Sequence, residues 1–219
     1  MRRADAAMIP APVKAIGQRR REDILRIATE LFAARGYHGS RMDDLADAVG
    51  LNKATLYHYY SRKSLLLFDI YLRAAAATMA AVQLEPNFSA RCALRECTVN
   101  LMRVMAADPN GAAVYFQESP FIDEWLTAEQ VSEIRTAEAA VYDHIRGIID
   151  CGIATGEFRA CDSHVLALGY IGMTLGSHRW LTPSSAGCAE RIAGEISCAL
   201  LRGLSRGSAD DGSQSISVV

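Results

Sequence analysis

Three observations predict an all-α chain. Apolar residues recur every three or four positions through most of the sequence. No stretch alternates apolar and polar residues as a half-buried strand would. Clusters of Gly, Pro, Asn and Asp break the pattern at intervals that suit helices. The 219 residues are 50% hydrophobic, enough for one small core and one larger one. The reading is a three-helix N-terminal domain followed by a larger helical domain.

Residues 1–18 hold Ala, Pro and Arg without periodicity and read as a disordered arm. A first helix is expected from about Arg19–Arg21, with Ile24, Ala28, Leu31 and Phe32 inward, and Gly36 stops it. Ser40 is expected to cap a second helix, with Asp43 three residues on, and Met42, Leu45, Ala46 and Val49 form its inner face. Gly50 permits a turn that Leu51 plugs. Asn52 caps a third helix, Lys53–Tyr60, and a fourth runs from about Ser61–Ser64 to Val82.

Pro86 and Asn87 break the chain. Ser89 caps a helix to about Ala107, and Asp108–Gly111 reads as a turn. A short helix, Ala112–Glu118, ends before Pro120. Thr127 caps the next helix, to about Gly152, and Asp162 or Ser163 caps a long one to about Leu181. After Pro183 a last helix covers about Gly187–Leu204, and residues 205–219 read as a disordered tail. The domains are therefore 19–65 and 66–204.

Net charge is only −2, but residues 1–63 carry 12 Lys and Arg against 7 Asp and Glu, and the remainder is acidic. A basic head on an acidic body puts the polyanion-binding surface at the N-terminal end. No run of about 18 apolar residues and no signal-peptide pattern is evident, so a cytoplasmic protein without a membrane span is expected. The six cysteines form no CxxC pair and read as small buried hydrophobes. Cys161 and His164 lie three apart, but no second pair supports a metal site. Neither a nucleophile–base motif nor a glycine-rich phosphate loop is present, so no catalytic residue, metal or cofactor is expected.

Residues 41–63, RMDDLADAVGLNKATLYHYYSRK, read as a helix-turn-helix. A recognition helix must pack with one face and reach bases and phosphates with the other. Leu56 and Tyr60, four apart, face inward, which leaves Lys53, Thr55, Tyr57 and His58 for DNA. Ala54 is small enough for close approach to the groove, and Thr55 can offer a methyl to thymine. Lys53 and Lys63 can neutralise phosphates, and Tyr57, His58 and Tyr59 can donate to them, although Tyr59 also suits packing. Ser40 and Arg41, at the start of the second helix, complete the candidate DNA surface.

Residues 21–66 resemble the DNA-binding domain of the tetracycline-repressor (TetR) family of bacterial transcription regulators. The resemblance rests on ILRIATELFAARGYHGSRMDDLADAVG and LNKATLYHYYSRKSLL. Departures are Asn52 where Ser or Thr is common, Tyr60 where Phe is common and Ser64 where Glu is common. The resemblance implies operator contacts by Lys53, Thr55, Tyr57, His58 and Lys63. It also implies a homodimer on palindromic DNA, a ligand-binding C-terminal domain and repression relieved by a small molecule. The stretch GEFRACDSHVLALGYIGMTLGSHRWLTP is loosely similar to a branch whose members sense acyl-CoA thioesters or other lipophilic metabolites.

Candidate walls of an effector site are Leu101, Met102, Met105, Phe116, Phe121, Trp125, Tyr142, Ile145 and Met173, with His178 for a polar group. Each also suits ordinary core. Tyr170 and Trp180 in one late helix and Ile192, Ile196 and Leu200 in the last are candidates for a dimer interface built as a four-helix bundle. Packing within one subunit is the alternative. The basic arm either tracks DNA or only aids solubility. A constitutive DNA-binding regulator without an effector remains the second reading.

Overall fold

The computed structural model describes residues 13–85, 88–180 and 186–204, with side chains described for 17–85, 88–179 and 189–204. Ten α-helices follow one another: α1 (Val13–Gly39), α2 (Met42–Val49), α3 (Lys53–Tyr59), α4 (Lys63–Val82), α5 (Ala90–Ala107), α6 (Pro109–Glu118), α7 (Ile122–Trp125), α8 (Ala128–Ala154), α9 (Ser163–Gly176) and α10 (Ala186–Leu204). Short 3-10 turns cover Ser119–Phe121 and Ser177–Trp180, and no strand occurs among the described residues.

The chain divides into two compact units, one of residues up to 73 together with 113–131, the other of residues 74–112 and those from 132 on. The boundary expected at residue 66 is therefore not where the chain divides. Residues 113–131 belong to the same unit as the helix-turn-helix.

In the first unit, α1 begins at Val13, ahead of the expected Arg19–Arg21, and residues 1–12 lie outside the described set. Ile24, Ala28 and Phe32 are buried at helical spacing. Gly36, at φ 73 and ψ 158, breaks the helix with a conformation that L side chains avoid. Gly50 ends α2 in the left-handed region, and the Leu51 N–H reaches back to the Ala46 carbonyl at 2.9 Å.

Ser40 does not cap α2. Arg41 occupies the cap position, and the Asp44 carboxylate, rather than that of Asp43, accepts from the Arg41 N–H at 3.3 Å. Ser40 is buried, and its hydroxyl donates to the Gly36 carbonyl at 2.8 Å, which closes the corner between α1 and α2. Asn52 caps α3 through the Thr55 N–H at 2.8 Å, and Leu56 and Tyr60 are buried.

By length and composition α4 could cross a membrane, contrary to the expectation that no stretch would. Its apolar side is used within the fold, since Leu66, Leu67, Ile70, Tyr71, Ala75, Ala81 and Val82 are all buried.

In the second unit, α5, α9 and α10 pack on one another. Ser89 caps α5 through the Cys92 N–H, and the Glu157 carboxylate accepts from the N–H groups of Ala90 and Arg91 at 3.2 Å each. These bonds, the Arg91 N–H first, hold the Glu157 carboxyl below the usual carboxylate range. Asp108–Gly111 is not a free turn. The Asp108 carboxylate accepts from the Gly111 N–H at 2.9 Å, and Pro109 opens α6 three residues before the expected Ala112. Asp162 caps α9 through the N–H groups of His164 and Val165. α9 ends at Gly176, short of the expected Leu181.

The core of this unit forms two apolar clusters. One gathers Leu94, Leu101, Ile145, Ile149, Phe158 and Tyr170 with the smaller residues around them. The other holds Met102, Met105, Ala189 and Ala193.

Candidate nucleic-acid interface

α3 splits by burial as a recognition helix must. Leu56 and Tyr60 anchor it, while Lys53, Ala54, Tyr57 and His58 are exposed and Thr55 and Tyr59 are half-buried. Tyr57 exposes 46% of its surface, a large share for an aromatic side chain that packing would otherwise claim. The His58 and Tyr59 rings meet edge to face at 5.9 Å.

The Lys53 ammonium is held by Asp43 of α2 at 2.7 Å, and that hydrogen bond raises its pKa. Both side chains are more than half exposed, so a phosphate can displace the carboxylate at little cost. Arg41 is also exposed.

The end of α3 is fixed by Tyr60, Asp69 and Arg21. The Tyr60 hydroxyl donates to Asp69 Oδ2 at 2.8 Å, Arg21 Nη2 donates to the same oxygen at 2.8 Å, and the guanidinium lies 4.5 Å from the Tyr60 ring centre. Burial, then the Asp69 bond and charge, push the Tyr60 phenol up, so it stays a donor. Tyr60 thus has a use for its hydroxyl that Phe could not meet. The sequence reading missed Asp69 because its partners lie 9 and 48 residues away.

Two expected DNA contacts have internal duties. The Lys63 ammonium donates to the carbonyls of Tyr37 at 2.6 Å and Ser40 at 2.8 Å and lies 4.1 Å from the Tyr37 ring centre. Burial lowers its pKa, partly offset by Glu118. The Ser40 hydroxyl is committed to Gly36 and is not presented outward.

The same corner is held from α6. The buried Glu118 carboxylate accepts from the Tyr37 N–H at 2.8 Å. Trp125 of α7 stacks on Tyr37 at 5.3 Å and His38 at 5.7 Å. Nothing local in the sequence signals Glu118, which lies 81 residues from its partner.

The residues named for an effector site do not form one group. Phe116, Phe121 and Trp125 fall in the first unit, and Phe121 is 46% exposed. In the second unit, Leu101 and Ile145 lie in one apolar cluster with Tyr142 packed against it, and Met102 and Met105 lie in the other. The Tyr142 hydroxyl pairs with His164 Nδ1, and His178 Nδ1 lies 3.0 Å from the Leu175 carbonyl. Met173 is exposed and is no cavity wall within the chain.

Tyr170 does not face a partner. It is buried in its own subunit, with its hydroxyl 3.0 Å from that of Thr98 and 3.2 Å from the Leu94 carbonyl. Ile192, Ile196 and Leu200 pack half-buried on the subunit's own clusters, and the Trp180 side chain lies outside the described set. The exposed apolar face of α9 is instead Val165, Leu168 and Met173, interleaved with Gly169, Gly172 and Gly176.

Residues 24–70 match bacterial regulatory proteins of the tetR family, and residues 89–204 match the tetracyclin repressor-like C-terminal domain. The chain is 29% identical over 176 residues to the transcriptional activator FasR of Mycolicibacterium smegmatis, covering 74% of this chain and 72% of FasR. It is 25% identical over 189 residues to the transcriptional repressor KstR2 of Rhodococcus jostii, covering 84% and 91%. Among solved structures it resembles AibR in complex with isovaleryl coenzyme A and operator DNA, with a TM-score of 0.72, 25% identity, and 83% of this chain and 98% of that one covered. With its exposed recognition helix and both domains matched, the chain belongs to the tetracycline-repressor family of DNA-binding transcription regulators.

Proposed function

We propose that this protein is a cytoplasmic, ligand-responsive repressor that leaves its operator when a small lipophilic molecule binds. The observation that carries the DNA half is the split of α3, with Leu56 and Tyr60 buried and Lys53, Ala54, Tyr57 and His58 outward. Thr55 and Tyr57 read the major groove, while Lys53, Arg41, His58 and Tyr59 position the helix on phosphates.

Two copies bind a palindrome as a homodimer, through the exposed α9 face of Val165, Leu168 and Met173 with the neighbouring side of α10. A two-fold pair places its recognition helices about one helical turn apart. The ligand half draws support from AibR, whose structure holds both isovaleryl coenzyme A and operator DNA. FasR, an activator, is a relative as well as KstR2, a repressor, so the operator's position relative to the promoter sets the sign.

An effector must prefer the off-DNA conformation, and operator DNA must then weaken effector binding by the same factor. A coupling of about 1–3 kcal/mol gives roughly 5- to 150-fold release. The test is an electrophoretic mobility shift on the protein's own promoter region, titrated with acyl-CoA thioesters and other lipophilic metabolites. A specific shift that one compound releases supports the reading. A specific shift that none releases favours a constitutive regulator.

A further inference from the structure

The two apolar clusters of the second unit are separated by hydroxyls. Thr98 lies one turn before Met102 on α5, Tyr170 and Thr174 lie one turn apart on α9, and Ser177 follows. Ser197 on α10 lies between Ala193 of one cluster and Leu201 of the other. All five are buried.

Three of them have partners. Thr98 and Tyr170 share a hydrogen bond at 3.0 Å, and the Thr98 hydroxyl also donates to the Leu94 carbonyl at 2.8 Å. The Ser177 hydroxyl donates to the Thr174 carbonyl at 2.6 Å and lies 3.0 Å from Met102 Sδ. The Thr174 hydroxyl is close enough to the Tyr170 phenol to favour its ionised form, yet it has no hydrogen-bond partner, and neither has the Ser197 hydroxyl.

Two unpartnered hydroxyls among three packed helices are costly to the folded chain, because each was hydrated before folding. An apolar residue would serve packing better at either position. Among the described residues, every buried polar side chain of this unit is a neutral hydroxyl, and no charged group is buried with them. Such a setting suits a neutral dipole and rejects a carboxylate or ammonium, whose desolvation nothing here offsets. Met102 and Met105 supply adaptable apolar surface beside it.

We propose that this seam of α5, α9 and α10 binds the uncharged carbonyl or hydroxyl group of a lipophilic small molecule, with Thr174 and Ser197 as its hydrogen-bonding partners. The carbonyl accepts from these hydroxyls, or an alcohol both donates and accepts. The molecule's apolar body lies against Met102 and Met105. This deepens the effector reading and rests on it for its regulatory meaning.

The test uses three eight-carbon probes, octan-2-one, octan-2-ol and octanoate, with binding measured by calorimetry on the full-length wild type, Thr174→Val and Ser197→Ala. Wild type should bind the ketone and alcohol about tenfold or more tightly than octanoate. Each variant should lose about fivefold or more for the neutral probes, the share of one hydrogen bond. Without probe, each variant should melt at the wild-type temperature or about 2–4 °C higher, since it removes an unpartnered buried hydroxyl. Absence of neutral-probe binding, equal binding of octanoate, or variants that bind like wild type would each overturn the proposal. If the ketone binds as expected but leaves operator affinity unchanged, the seam stands and its effector role fails.

Discussion

Replacing Glu118 with Ala removes the acceptor of the buried Tyr37 N–H and leaves the α1–α2 corner with one donor unpaired. A buried donor stripped of its partner costs about 1–3 kcal/mol. Glu118 also favours the charged form of Lys63, whose ammonium grips the Tyr37 and Ser40 carbonyls, so the upper half of that range applies. At about 2–4 °C per kcal/mol for a chain of this size, the melting temperature should fall by about 4–10 °C. Glu118→Gln keeps an amide oxygen that can accept from Tyr37 and should fall by less than half as much. Thermal unfolding followed by circular dichroism at the helical band measures both. An Ala variant that melts with the wild type would refute the argument. So would a Gln variant as unstable as Ala, because the charge rather than the acceptor would then be what matters. Operator affinity measured below the transition adds a functional readout, since the same corner orients α2 and α3.

Four further outcomes follow from the geometry. A Cβ at position 152 would run into the Phe158 ring and come within 2.8 Å of Ala90 Cβ, so Gly152→Ala should destabilise by about 1–3 kcal/mol in a denaturant titration. Tyr60→Phe removes one hydrogen bond to a carboxylate that Arg21 still holds, and should cost about 1 kcal/mol while weakening operator binding by misplacing the end of α3. Asp43→Asn frees Lys53 and deletes a negative charge near DNA, so affinity should rise for operator and random DNA alike, with a steeper salt dependence. The Glu157 carboxyl is held below its unfolded pKa, so its stabilisation is present above the ordinary carboxylate range and is lost as pH falls through the lowered value. Glu157→Gln should therefore flatten the acid limb of a stability–pH curve.

Most helix limits were legible because their signals are local. Ser89 and Asn52 cap where their side chains lie next to the N–H groups they serve, and Gly36 and Gly50 carry the positive φ that ends a helix. The recognition face was legible for the same reason, since inward Leu56 and Tyr60 four residues apart leave only one face for DNA. Failures came where a residue's partner is remote. Lys63 reads as a free cation in sequence, but two carbonyls about 25 residues upstream use its charge. Trp125 reads as a cavity wall, but it stacks on the α1–α2 corner.

α9 shows why periodicity alone mistook the dimer face. Its sequence, SHVLALGYIGMTLG, is apolar on every side, so a stripe through Leu166, Tyr170 and Met173 could face either the core or a partner. Burial decides between them. Ala167, Tyr170 and Thr174 point into the subunit, and Val165, Leu168 and Met173 point out. An isolated subunit would leave that face in water, with three glycines interleaved that let another helix approach closely. Tyr170 could not serve there, because its hydroxyl already joins Thr98 inside the subunit and turning it outward would break that bond. A charge placed on the outward face, as in Leu168→Glu, should therefore leave the subunit folded and convert the species seen by analytical ultracentrifugation to monomer, whereas Tyr170→Glu should unfold it. If Leu168→Glu sediments like the wild type, two copies meet through a different surface.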